Sequence, residues 1–177
     1  MTKPFKNLGV MLGYRSTDYI AGTLPYEVRN PSGDWRPYLP VGEQQYGKED
    51  WMDCVSRSLT NTIEIQEKQQ TGVESNYNER EIALGSGTTR EGNYLWKVAD
   101  YARKTGLAQQ KTWPDSNGTF DEQYTQPTSD VRAKLNAEKA DWKLKWDIKD
   151  EDVSYDKKSL QYHLKHAPIQ VVIPGHA

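Results

Sequence analysis

The sequence holds a single cysteine, Cys54, and only three histidines and two phenylalanines in 177 residues. One cysteine excludes an intrachain disulfide and a Cys-rich zinc site, so that side chain acts, if at all, as a thiol. His163, His166 and His176 are few, and the carboxylates lie scattered among Lys and Arg as on a solvated surface, so neither a metal nor another cofactor is expected. Charge of one sign is not in excess: 23 Lys plus Arg stand against 25 Asp plus Glu. A nearly neutral chain lacks the cationic field whose counterion release drives non-specific nucleic-acid binding, and no nucleic-acid partner is expected. No apolar run approaches the roughly 20 residues that span a bilayer, and the opening MTKPFKNLGVMLGYRS has no apolar core of a signal peptide. The expectation is a soluble chain with no membrane partner.

What the chain does hold is large amphipathic aromatics, six Trp and eleven Tyr, which bury wide apolar faces while keeping a polar handle. That suits a wet, loop-rich domain, and 177 residues fit one domain at about 150 residues each. No repeat, low-complexity tract or heptad pattern is present. Residues 1–50 are rich in Gly and Pro (Gly9, Gly13, Gly22, Pro25, Pro31, Gly33, Pro37, Pro40) and read as an extended arm with short strands and turns. Residues 51–177 form the domain proper. From Asp53, a plausible N-cap, Val55, Leu59, Thr62 and Ile63 share one helical face until Gly72 stops the helix. A short helix is predicted over 78–84, and a second strong one over NYLWKVADYARKTG, with Leu95, Val98, Ala99 and Ala102 inward and Gly106 as stop. DSNGTFDEQYTQPTSD reads as loop or weak turn; Ser129 or Asp130 caps a helix over VRAKLNAEKA; KLKWDI (143–148) alternates like a strand; Asp156 caps KKSLQYHLKH. IQVVI (169–173) reads as a buried strand, which completes an α+β order of helices first and strand later.

The chemistry centres on Cys54. A thiol in the first turn of a helix faces unsatisfied N–H groups and the positive end of the helix dipole, which favour thiolate over thiol. Three landmarks around it resemble the papain-like (C1-type) cysteine peptidases. DWRPYLPVGEQQYGKEDWMDCVSRSLTNTIEIQ is similar to the family's nucleophile segment, where a Gln precedes a Cys that opens a long helix; EGNYLWKVADYARKTGLAQQKTWP is similar to its Gly-rich turn, helix and aromatic-Pro pair, carried by Gly92, Gly106 and Trp113-Pro114; SLQYHLKHAPIQVVIPGHA is similar to the helix, Pro, strand and turn that lead to its catalytic His.

By that resemblance Cys54 is the nucleophile and His176 its general base and acid. Gln45, with Gln44 in reserve, donates to the oxyanion together with the Cys54 N–H. Residues 87–93, with Gly87, Gly92 and Asn93 foremost, line a substrate cleft. His163 and His166 sit on a Lys-flanked helix and are read as solvated. The implied activity is hydrolysis of a peptide or protein substrate through a Cys54 thioester. The implied fold is the papain-like α+β fold, its helical lobe largely present and its β-barrel lobe incomplete in these residues, possible completion coming from another chain. The rival reading is a catalytically inactive papain-like structural or binding module of a larger assembly such as a virus particle; a weaker third is an amidase or transamidase with the same dyad. The compartment stays open between cytoplasm and virion.

Overall fold

The computed structural model describes residues 10–11, 27–41, 47–146, 148 and 156–171. The protein is mixed but mostly helical. Six helices, α1 (Cys54–Thr71), α2 (Glu79–Ser86), α3 (Leu95–Thr105), α4 (Phe120–Gln123), α5 (Ser129–Lys145) and α6 (Lys157–His163), occur among the described residues with two two-residue strands, β1 (Val10–Met11) and β2 (Asn93–Tyr94). The strands pair in parallel, Val10 with Asn93 and Met11 with Tyr94.

α1 is the axis. Its apolar residues Val55 and Leu59 meet Ile82 of α2 and Val98, Ala99 and Ala102 of α3 in one buried cluster, which Tyr77, Leu107, Trp142 and Ile148 close. Helices with one apolar stripe gain stability by such mutual burial. α1 stops at Gly72, left-handed at φ 73°, whose N–H donates to Lys68 O (2.9 Å). α3 stops at Gly106, φ 85°; a Cβ there would lie 2.2 Å from the Lys139 carbonyl oxygen, so glycine is what lets α5 cross so closely.

α2 is held from its N-cap. Asn78 is fully buried; its Oδ1 accepts from Glu81 N (2.8 Å) and its Nδ2 donates to Trp113 O (2.8 Å), tying the helix start to the loop after α3. Asn78→Ala removes the cap and strands a carbonyl, and a loss of about 2–4 kcal/mol is expected in urea unfolding. A loss no greater than that of an exposed cap would show the Trp113 bond to be dispensable.

Several expectations need correction. Residues 143–145 continue α5 and are not a strand: Trp142 packs inward and donates Nε1 to Tyr77 OH (3.0 Å), while Leu144 is 86% exposed, so the apparent alternation did not record burial. Residues 169–171 form no strand, and Val171 is exposed; among the described residues no partner strand is present to satisfy their backbone groups. The remaining residues of that run, 172 and 173, lie outside the described residues. The stretch read as weak turn contains α4, started by a capping box in which Thr119 and Glu122 satisfy each other's backbone N–H groups. The α5 cap is Thr128 rather than Ser129 or Asp130, its hydroxyl accepting from Val131 N.

Within the arm, residues 27–41 carry one 3-10 turn (Arg36–Tyr38) and lie against the body. Arg29 N and Asn30 N both donate to Lys165 O (3.0 and 2.9 Å), the buried Trp35 donates Nε1 to Leu164 O (2.6 Å), and Gln69 of α1 donates to Arg29 O (3.0 Å). His166, read as solvated, is buried beyond the end of α6, its Nδ1 3.1 Å from Glu27 O. The helix ends three residues before it, and this arm covers the turn that follows.

Candidate functional site

Cys54 is the first residue of α1 and is exposed. The residues before it are firmly held. Trp51 is completely buried and donates Nε1 to Gly118 O (2.9 Å), and its own carbonyl accepts from Tyr124 OH (2.7 Å). Met52 sits in the left-handed region at φ 56°, its N–H bonded to Asp50 Oδ1 (2.8 Å). A non-glycine residue there carries backbone strain of about 1–3 kcal/mol, which the fixed tryptophan sustains.

Asp53 occupies the N-cap position without capping by its side chain. Its carboxylate turns instead to Arg57 one helical turn on (Nε to Oδ2, 3.1 Å). Arg57 also reaches Asp115 (2.9 Å) and faces Glu79 at 3.9 Å, so one guanidinium serves three carboxylates drawn from the N-cap of α1, from α2 and from the loop before α4. Asp53 and Glu79 are each 1% exposed. Burial pushes the Asp53 carboxyl above its ordinary range although Arg57 pulls it down. For Arg57 burial works against the charge, but Asp53, Glu79 and Asp115 together hold it well above its ordinary value. Gln123 completes the knot, donating Nε2 to Asp115 and accepting from Ser116 N (2.8 Å).

This charge pattern reverses the expectation for the thiol. Burial of its surroundings, then the carboxylates of Asp53 and Asp50, push Cys54 up to about 11; the N–H groups of Val55 and of Cys54 itself act the other way and are outweighed. At neutral pH only about one molecule in ten thousand would carry a thiolate unless a base takes the proton. The start of the helix does not activate the sulfur by itself, because the carboxylates of Asp53 and Asp50, just ahead of the first turn, oppose the helix field.

His176, Gln45 and Gln44 lie outside the described residues, so the candidate dyad and oxyanion donor are not described beside Cys54. Gly87, Gly92 and Asn93 are brought together in the turn from α2 to α3. Gly87 is the left-handed cap of α2, and Gly92, at φ 98°, pairs with Thr89 in a tight bridge. Asn93 is 1% exposed, and its amide donates to Ser86 Oγ (2.9 Å) and Thr88 Oγ1 (3.1 Å). Its side chain locks the turn. The backbone edge at Asn93, which the resemblance gives to substrate, is paired here with Val10 of the same chain, and the next residue, Tyr94, with Met11.

Sequence reasoning missed the buried ionic groups. Besides Asp53 and Glu79, the carboxylates of Glu64, Glu67 and Glu81 are buried, so the picture of acidic residues spread over a solvated surface fails for these positions. Tyr77 donates its hydroxyl to Glu67 (2.6 Å) and its N–H to Glu64 (2.7 Å); Glu81 takes hydrogen bonds from Tyr101 OH and Lys139 Nζ, both at 2.6 Å. Only the Asp53-Arg57 spacing of four could have signalled such a pair in advance. Among the described residues no group of three or more His, Cys, Asp or Glu is arranged to hold a metal ion, and no helix is long and apolar enough to cross a membrane. No protein-family model matches this chain, and no curated protein matches its sequence.

Proposed function

We propose that the chain is a thiol peptidase of the papain-like kind, with Cys54 as nucleophile and His176 as the base that its chemistry requires. The observation that carries the proposal is the position of Cys54: an exposed thiol opening an 18-residue helix, with the N–H groups of Val55 and Cys54 turned toward its sulfur. The strained residue two positions before it adds support, since backbone strain collects at working sites. The sulfur attacks the scissile carbonyl carbon as its proton passes to His176. The C–N bond then breaks with that proton delivered to the leaving amine, and water releases the acid from the thioester. Gln45 and the Cys54 N–H would hold the oxyanion. The carboxylates that disfavour a lone thiolate favour an imidazolium beside it, so the proton resides more readily on His176.

A second reading rests on the same carboxylates. A thiol held near 11 is unreactive, which fits an inactive papain-like binding module of a larger assembly such as a virus particle.

Alkylation of Cys54 by iodoacetamide across pH separates the two. For the peptidase, the rate is already near its plateau around pH 7, and His176→Ala lowers it there by about 100-fold. A rate that climbs steadily past about pH 9 and is the same in both proteins overturns the peptidase and leaves the module.

A further inference from the structure

Away from Cys54, residues of α2, α3 and α5, with Trp113, Gln126 and Pro127, line an open cavity of about 260 Å³. Its polar wall is a chain of three side chains, one from each helix. Glu81 Oε1 accepts from Tyr101 OH and from Lys139 Nζ, both at 2.6 Å, and Lys139 Nζ lies 3.5 Å from the same phenol. Gly85 makes this possible: a Cβ there would lie 2.0 Å from Tyr101 Cζ, so only glycine lets the phenol lie across α2 to reach Glu81. Glu81 and Lys139 cancel each other's charge. The cation left over at the cavity is Arg132, whose guanidinium donates to Gln126 Oε1 (2.7 Å) and, among the described residues, pairs with no carboxylate. Burial and then Glu81 hold the Tyr101 phenol protonated well above its ordinary value, with Arg132 acting the other way, which agrees with the guanidinium lying near that hydroxyl. Leu84, Trp113 and Leu135 also line the cavity, and Arg80 lies 4.0 Å over the Trp113 ring.

A compensated buried ion pair, a guanidinium with no carboxylate partner among the described residues and three apolar lining side chains suit a ligand with one negative charge and a small non-polar body. We propose that this cavity binds a small organic carboxylate with an aromatic or aliphatic body, the carboxylate taken by Arg132 and the body held against Leu84, Trp113 and Leu135. Arginine suits the task because its planar fork matches a carboxylate with two parallel N–H···O bonds. The site does not depend on the chemistry of Cys54.

Isothermal titration calorimetry on the full chain with benzoate as probe tests the site, with benzylamine and benzyl alcohol as matched cationic and neutral rings. Benzoate is expected to bind at least about tenfold more tightly than either, and Arg132→Ala to weaken it by about tenfold or more. Arg132 is exposed, so the variant is expected to melt with the parent. Arg132→Lys should recover part of the affinity by keeping the charge, and Cys54→Ser should bind benzoate like the parent. The proposal is overturned if benzoate gives no binding, if benzylamine binds as well as benzoate, or if Arg132→Ala leaves the affinity unchanged.

Discussion

Replacing Arg57 by Met is expected to cost about 3–5 kcal/mol of stability at neutral pH, because the substitution keeps the apolar stem but leaves buried carboxylates without their cation. Asp53 and Glu79 are each 1% exposed, and Asp115 is mostly covered, so solvent cannot take the place of the guanidinium. The penalty should depend on pH in a definite direction. The folded-state pKa of Asp53 is raised above its ordinary value of 3.8, so between those two values the folded protein binds a proton that the unfolded chain has released. Stability therefore falls as pH rises from the unfolded value through the raised folded one. Without Arg57 that window widens and Glu79 and Asp115 lose the same neutralisation, so the loss should be largest near neutrality and shrink toward about pH 4. Urea unfolding of both proteins at the two pH values measures this. An equal penalty at both would show that the carboxylates are screened by something other than Arg57.

Trp51→Ala should cost a similar amount, about 3–5 kcal/mol, through the cavity left by a fully buried indole. The ring is tightly enclosed: a Cβ on Gly47 would meet it at 2.4 Å, and the Arg57 guanidinium lies 5.7 Å from its centroid. The indole bond to Gly118 O also disappears, leaving that buried carbonyl with the Lys48 N–H (3.0 Å) as its remaining donor. Because Trp51 sustains the left-handed Met52 ahead of α1, the variant should also loosen the first turn and speed alkylation of Cys54 at high pH. A stability loss under about 1 kcal/mol would mean that the site collapses around the smaller side chain. The two substitutions share a contact, so the double variant should lose less than the sum of the singles, and the shortfall measures the coupling between ring and guanidinium.

The long helices were legible because their signals are local. Gly72 and Gly106 stop α1 and α3 at the positions expected of them, and the 3.6-residue spacing of Val55 and Leu59, and of Val98 and Ala102, names the residues that are buried. Short segments were not legible. Six residues of KLKWDI fit period two as well as a helical turn, and the decision fell to Trp142, whose bond to Tyr77 OH holds α5 in register to Lys145. α4 was hidden because a four-residue helix has no periodicity to show, only its capping box. Asp156 was legible as a cap, its side chain accepting from Lys158 N and Ser159 N.

The single cysteine, the long helix that it opens and the acidic Asp50 and Asp53 close before it are all readable along the chain. Those facts follow from position along the chain. The direction in which the thiol is pushed is set by the folded arrangement, since it depends on how far each charge is removed from water. Glu79 and Asp115 come to Arg57 from 22 and 58 residues away, and Asp53 turns to the same guanidinium instead of capping its helix. Coulomb energies scale inversely with distance and with the local dielectric, and neither quantity is written in a sequence.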